Sequence, residues 1–303
     1  MSVDQIINIL VTITLIEMMV TVGLGVTIVE VVNVAENWRL VVQAAVANYV
    51  LVPAVVIGLL LLFHAPPLVA AGFLLAAVCP GAPYGPPFTG MAKGNVPVAV
   101  GLMVMLAGSS AIVAPLLLHV LLPITSGNEP LKIDVVKMVG TLLLTQLIPL
   151  GIGLAVRHSR PKLAERLSKP AKLLSTLLNL VAFSVIMVVQ FHLLESIKAI
   201  GFAGMLALVI ATLVVGWLLG GPGSGQRTAM GFSTAVRNVG VSLVIATASF
   251  PGTPAVTSAL AYALFQTIVL ALVAIAWGRW AASASAAAEV TGREPQSARS
   301  IKQ

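Results

Sequence analysis

Charge is the scarcest property of this chain. Of its 303 residues only 9% are Asp, Glu, Lys or Arg, whereas 58% are hydrophobic, so a water-soluble domain of this size would lack polar side chains to cover its surface. A mean hydropathy of +1.04 places the chain in a lipid bilayer instead. Cysteine is almost missing as well. Cys79 stands alone, which excludes an internal disulfide, and no Cys/His cluster has metal-ligand spacing. There is no His-Glu-x-x-His for zinc and no Gly-x-Gly-Asp. Aromatic residues make up 5% and are not interleaved with the basic residues, so the net charge of +7 is read as a topology signal and not as a nucleic-acid surface. The N-terminus carries Asp4, no Lys or Arg and no small-residue cleavage site after the first apolar run, so that run is expected to be kept as a span.

What is present is a series of apolar runs. Crossing ~30 Å of hydrocarbon takes ~20 apolar residues. Runs of that kind lie near 6–30, 39–63, 96–121, 135–156, 171–192, 199–219 and 254–278. Two more, near 67–94 and 226–249, are long enough but are interrupted inside by Gly, Pro or polar residues. The expectation is an all-α polytopic membrane protein with nine transmembrane helices, forming a transporter domain over 1–280. A flexible cytoplasmic tail is expected over 281–303, and no second domain. The segment 157–172 holds Arg157, Arg160, Lys162, Arg166, Lys169 and Lys172. By the positive-inside rule it is cytoplasmic, which puts the N-terminus outside and the C-terminus inside. On that topology thirteen of the 17 basic residues fall inside and three, Lys132, Lys137 and Lys198, outside; the remaining one is Arg237, within a span. Trp38, Trp217, Trp277 and Trp280 all fall at inner ends of spans, where an amphipathic ring is favoured. The predicted location is the cell (inner) membrane.

The stretch from Cys79 to Phe88 packs four prolines and two glycines into ten residues, and a proline removes a helix donor and clashes with the preceding turn. The backbone is therefore expected to unwind near 80–87. Unwound backbone at membrane depth survives only when packed in protein or lining a wet cavity; the plainer alternative is a long loop between two ordinary spans. The partner break is Gly231–Gly240, where Ser233, Thr234, Arg237 and Asn238 interrupt another span. Paired interrupted helices in two halves of a chain mark an inverted-repeat secondary transporter with its site at the midplane.

The residues at these breaks resemble the bile acid:sodium symporter superfamily, over about residues 8–278. Cys79-Pro-Gly-Ala-Pro-Tyr-Gly-Pro86 followed by Ala92-Lys-Gly-Asn95 matches the family's first broken helix, Ser233-Thr-Ala-Val-Arg-Asn238 its second, and Asn48-Tyr-Val-Leu-Val-Pro53 a further motif in an earlier span. The resemblance implies a panel of helices against a core that contains two crossed discontinuous helices. It also implies transport of an organic anion, such as a sterol-like acid, a short carboxylate or a pantoate-like molecule. The positions that ligate sodium in coupled members correspond here to Gly85, Pro86, Ala99, Met103 and Ser233 at one site and to Ser233, Arg237 and Asn48 at the other, so most ligand oxygens are gone. A sodium beside Arg237 would be repelled, and a hard cation needs oxygen ligands. No cofactor is expected, and coupling to sodium or protons stays open.

An arginine near the bilayer centre costs ~2.5–3.5 kcal/mol on insertion scales, so three readings compete for Arg237. It bonds carbonyls freed by the first break in place of sodium; or it binds an anionic substrate; or it snorkels or pairs with Glu17 as a structural group. Glu17, the acid deepest in the apolar part of the chain, is either a proton carrier or neutral and structural. Tyr84 flanks the first break and offers a hydroxyl to substrate or serves the turn. Candidate substrate- or ion-binding residues are thus Arg237, Asn238, Ser233, Thr234, Asn48, Tyr84, Gly85, Pro86 and Glu17. An intramembrane hydrolase is the reading from another class, resting on Gly108-Ser-Ser-Ala111 and His119, which lie at opposite ends of one span with no orienting acid.

Overall fold

The computed structural model describes residues 2–125, 131, 133–195 and 197–290, with the side chains of 194 and 284–290 set aside. Lys132, Arg293, Arg299 and Lys302, and the predicted tail from 291 on, lie outside the described residues. The regular structure among those described is all helical. The helices are α1 (Val3–Gly25), α2 (Ile28–Glu36), α3 (Trp38–Leu62), α4 (Pro67–Val78), α5 (Gly85–Met91), α6 (Val96–Thr125) and α7 (Val135–Ser159). They continue with α8 (Pro161–Val189), α9 (Phe191–Glu195), α10 (Ala199–Leu219), α11 (Ser224–Ala235), α12 (Val239–Ser249) and α13 (Pro254–Val290).

Among the described residues eight stretches are long and apolar enough to cross a membrane: α1, α3, α6, α7, α8, α10, the run Ser224–Ser249 and α13. The run near 67–94, expected to be interrupted, is two short helices, α4 of 12 residues and α5 of 7, and so is not among these eight. Three boundaries differ most from the sequence expectation. The first run does not extend to residue 30: Val26 is extended, and Thr27 starts α2 with a capping box in which Thr27 and Glu30 satisfy each other's backbone donors. α8 begins at Pro161, ten residues before the apolar run, because proline is suited to the first helical position and the charged residues that follow are good helix formers. The last helix runs through Ala281, the expected start of the tail, to Val290.

α1 packs on α7 and α8, and on α12. At the α1–α7 crossing Gly23 and Gly153 face each other backbone to backbone, so a methyl at either would strike the other helix. α3, α4, α6, α10, α11, α12 and α13 form the remaining body, with α4 against α13 and α6, and α11 against α10, α5 and α6. α3 and α7 each contain one π turn, Ala47–Leu51 and Leu143–Leu147, closed by bonds from Val52 N to Ala47 O and from Ile148 N to Leu143 O. Each precedes a proline, Pro53 or Pro149, which has no N–H to continue the ordinary ladder.

Candidate functional site

The two breaks meet. Between α4 and α5 the chain passes through Gly81, whose φ of +82° is left-handed and whose position leaves no room for a side chain against the backbone of Ala107 in α6. Between α11 and α12 it passes through extended Val236, Arg237 and Asn238. Asn238 N donates to Cys79 O at 2.8 Å, and its Nδ2 donates to Gly81 O at 3.4 Å. The same side chain caps α12 by accepting from Val241 N at 3.3 Å. One asparagine thus ties the second break to the first and starts the helix that follows it.

Arg237 lies beside it, 1% exposed. Its Nη1 donates to Ala77 O, in the last turn of α4, at 3.1 Å, and its Nη2 donates to Asn48 Oδ1, in the α3 π turn, at 2.7 Å. The guanidinium therefore sits at the C-terminal end of α4, where unpaired carbonyls carry partial negative charge. Asn48 holds its orientation by donating to Ala44 O at 2.9 Å and to Thr234 Oγ1 at 3.3 Å. Asn48, Thr234 and Asn238 are fully buried. Ser233 Oγ and Arg237 Nε are also buried and have no partner.

Sequence reasoning missed Gln266. From α13 its Oε1 accepts from Arg237 N at 3.1 Å and its Nε2 donates to Arg237 O at 3.2 Å, so one amide satisfies both backbone groups of a residue outside any helix. The available signal was a glutamine set in an otherwise apolar last span. A second missed group is Gln146, in the α7 π turn, which donates to Ala107 O and to Ser110 Oγ.

The remaining candidates divide. Gly85 and Pro86 are buried at the start of α5; Gly85 O accepts from Thr89 Oγ1 at 2.9 Å, and Gly85 faces the Cα of Ser233. Tyr84 is 37% exposed and makes no contact with Arg237 among its hydrogen bonds. Glu17 is not the partner of Arg237. It accepts from Thr21 at 2.7 Å and from Ser175 of α8, within the α1–α8 contact. Snorkelling is excluded too, since the arginine reaches no surface. Ser109 shares its hydroxyl with Tyr49 OH at 2.7 Å, and Ser110 bonds Ala107 O at 2.8 Å; neither is paired with His119. The hydrolase constellation is not assembled.

Apolar helices in the number needed for a multi-pass membrane protein meet at a buried polar contact between two helix breaks, and similarity to known proteins gives that protein its class, a membrane transporter. The model of the Sodium Bile acid symporter family matches residues 12–216. The chain belongs to that family. It is also 25% identical over 260 residues, 81% of this chain and 75% of the relative, to a protein of Bacillus subtilis (strain 168) named as the uncharacterized sodium-dependent transporter YocS.

Proposed function

We propose that the protein is a secondary transporter of a small organic anion that works by alternating access without sodium, Arg237 occupying the place of a coupling cation. The observation that carries this is the guanidinium itself. It bridges Ala77 O of α4 and Asn48 Oδ1 of α3 from the break between α11 and α12, a position where a cation has two oxygens and the C-terminal end of α4 beside it. With a fixed positive charge already bonded to those oxygens, a sodium ion has neither ligands nor electrostatic attraction there.

In this reading α4 with α5, and α11 with α12, are two discontinuous spans, for nine in all, in an inverted-repeat arrangement. α1, α7 and α8 form the panel, and the other helices form the core. The N-terminus is outside and the C-terminus cytoplasmic, in the cell membrane. Trp38 at the start of α3, Trp217 near the end of α10 and Trp277 and Trp280 in α13 fit one common face, and Arg227 rests 4.9 Å from the Trp217 ring at that level. The anion is placed between panel and core near Tyr84, Val239 and Gly240, which stay partly open beside the crossing.

A sodium-coupled mechanism with altered ligands is the second reading, favoured by the name of the Bacillus relative. Thermal unfolding of the purified protein in sodium, potassium or choline chloride at equal ionic strength separates the two. Equal midpoints are expected; a sodium-specific rise, growing with concentration, supports the coupled reading instead.

A further inference from the structure

The segment from Arg157 to Lys172 joins α7 to α8 and is the most highly charged part of the described chain. It holds six Lys or Arg residues and one acid, Glu165, a balance of +5. All but Arg157 of the six are exposed. A cleft of about 440 Å³ opens there, lined by Arg160, Pro161, Lys162, Leu163 and Arg166.

Two faces of α8 run side by side from this cleft. Lys162, Arg166 and Lys169 recur at helical spacing on one, and Leu163, Leu167 and Leu174 on the next. These leucines are all exposed, and the whole helix buries only Ala164, Ala182 and Ile186. Cations beside uncovered aliphatic side chains, at the level where the helix leaves its apolar part, match a ligand that is anionic at its head and hydrocarbon below. A soluble anion would use the charges and leave the leucines in water. A zwitterionic lipid would cover the leucines and gain little from the charges.

We propose that this cleft binds an anionic phospholipid, with the phosphodiester held by Arg160, Lys162 and Arg166 and the acyl chains lying on Leu163, Leu167 and Leu174. On the orientation proposed above, the lipid belongs to the inner leaflet. Basic clusters next to a spanning helix gain ~1 kcal/mol per charge from anionic headgroups, so removing three is expected to weaken binding by about a hundredfold.

The test is native mass spectrometry of the purified full-length protein titrated with phosphatidylglycerol, phosphatidylcholine or inorganic phosphate. Phosphatidylglycerol is expected to stay bound and phosphatidylcholine to be lost, and inorganic phosphate in excess is expected not to displace the lipid. The Arg160→Gln/Lys162→Gln/Arg166→Gln variant should lose the phosphatidylglycerol adduct, whereas Arg160→Lys/Arg166→Lys should keep it. Equal retention of both lipids, displacement by phosphate, or an unchanged adduct in the triple variant each overturns the proposal. If removing the charges prevents folding, salt decides on the wild type: phosphatidylglycerol binding must fall steeply as salt rises, and salt-insensitive binding counts against the site.

Discussion

Arg237 and Asn48 are 189 positions apart in the chain and are joined by a 2.7 Å hydrogen bond from guanidinium to amide oxygen, with both side chains buried. That bond links α3 to the break between α11 and α12. Because Asn48 also donates to Thr234, removing either partner leaves buried polar atoms without their partner.

Arg237→Gln is expected to reverse the response to sodium. The substitution removes the charge and supplies a carbonyl oxygen next to Asn48 Oδ1 and Ala77 O, which gives a cation oxygen ligands it lacks in the wild type. A sodium-specific rise in the unfolding midpoint is expected in the variant alone. If the variant is as indifferent to sodium as the wild type, Arg237 is not standing where the ion would go.

Asn48 and Arg237 should be coupled, whereas Glu17 and Arg237 should not. In double-mutant cycles scored by unfolding free energy, Asn48→Ala with Arg237→Gln is expected to depart from additivity by roughly 1–3 kcal/mol, as contacting polar groups do. Glu17→Gln with Arg237→Gln should add to within about 0.5 kcal/mol, because the Glu17 carboxylate is engaged by Thr21 and Ser175.

Gln266→Leu strands the backbone N–H and C=O of Arg237, which among the described residues have only this amide as partner. At about 1–3 kcal/mol for each unsatisfied buried group, a loss of roughly 2–6 kcal/mol is expected. Gln266→Glu keeps an acceptor for the N–H and should be the milder change. Chemical unfolding in mixed micelles measures both, and a Leu variant as stable as the wild type would show that the clasp is dispensable.

Gly81→Ala should be among the most damaging single-methyl additions. The residue is left-handed and its missing side chain would enter the backbone of α6 at Ala107, so strain of about 1–3 kcal/mol is joined by a collision that rigid helices relieve poorly. Gly58→Ala, at a position with open space around it, is the matched control. Fluorescence-detected size exclusion should show aggregation for the first and a normal monodisperse peak for the second.

The helical runs could be read from composition because a membrane span is an average over ~20 residues, and an average tolerates local error. The break was equally readable, although it spans 79–84 and not 80–87, because Pro86 and Pro87 sit in the first turn of α5, where a missing N–H costs no ladder bond. Boundaries made by single caps were not. Thr27 and Glu30 form a capping box, yet they sit in an apolar stretch that reads as a continuous span. That Arg237 and Asn48 belong to one site followed from the motif that each occupies, but the hydrogen bond between them and the position of Glu17 did not, because nothing in spacing along a helix says which neighbour its face will meet. Gln266 escaped for a related reason: it serves the backbone of the break between α11 and α12, and a backbone group leaves no trace in sequence.

The π turn Ala47–Leu51 fits one more residue into α3 than an α-helical ladder would take up, and Asn48 belongs to that added increment. One residue of helix is about 100° of rotation. A single deletion between Ala47 and Leu51 would let the ladder close in the ordinary way and turn one half of α3 by that angle relative to the other. Asn48, or else Val56 and Leu60 on the buried side, would then face the lipid. The contact with Arg237 is therefore held by the counting of residues along α3 as much as by which residues they are, and a length change of one is expected to do what few substitutions in this helix could.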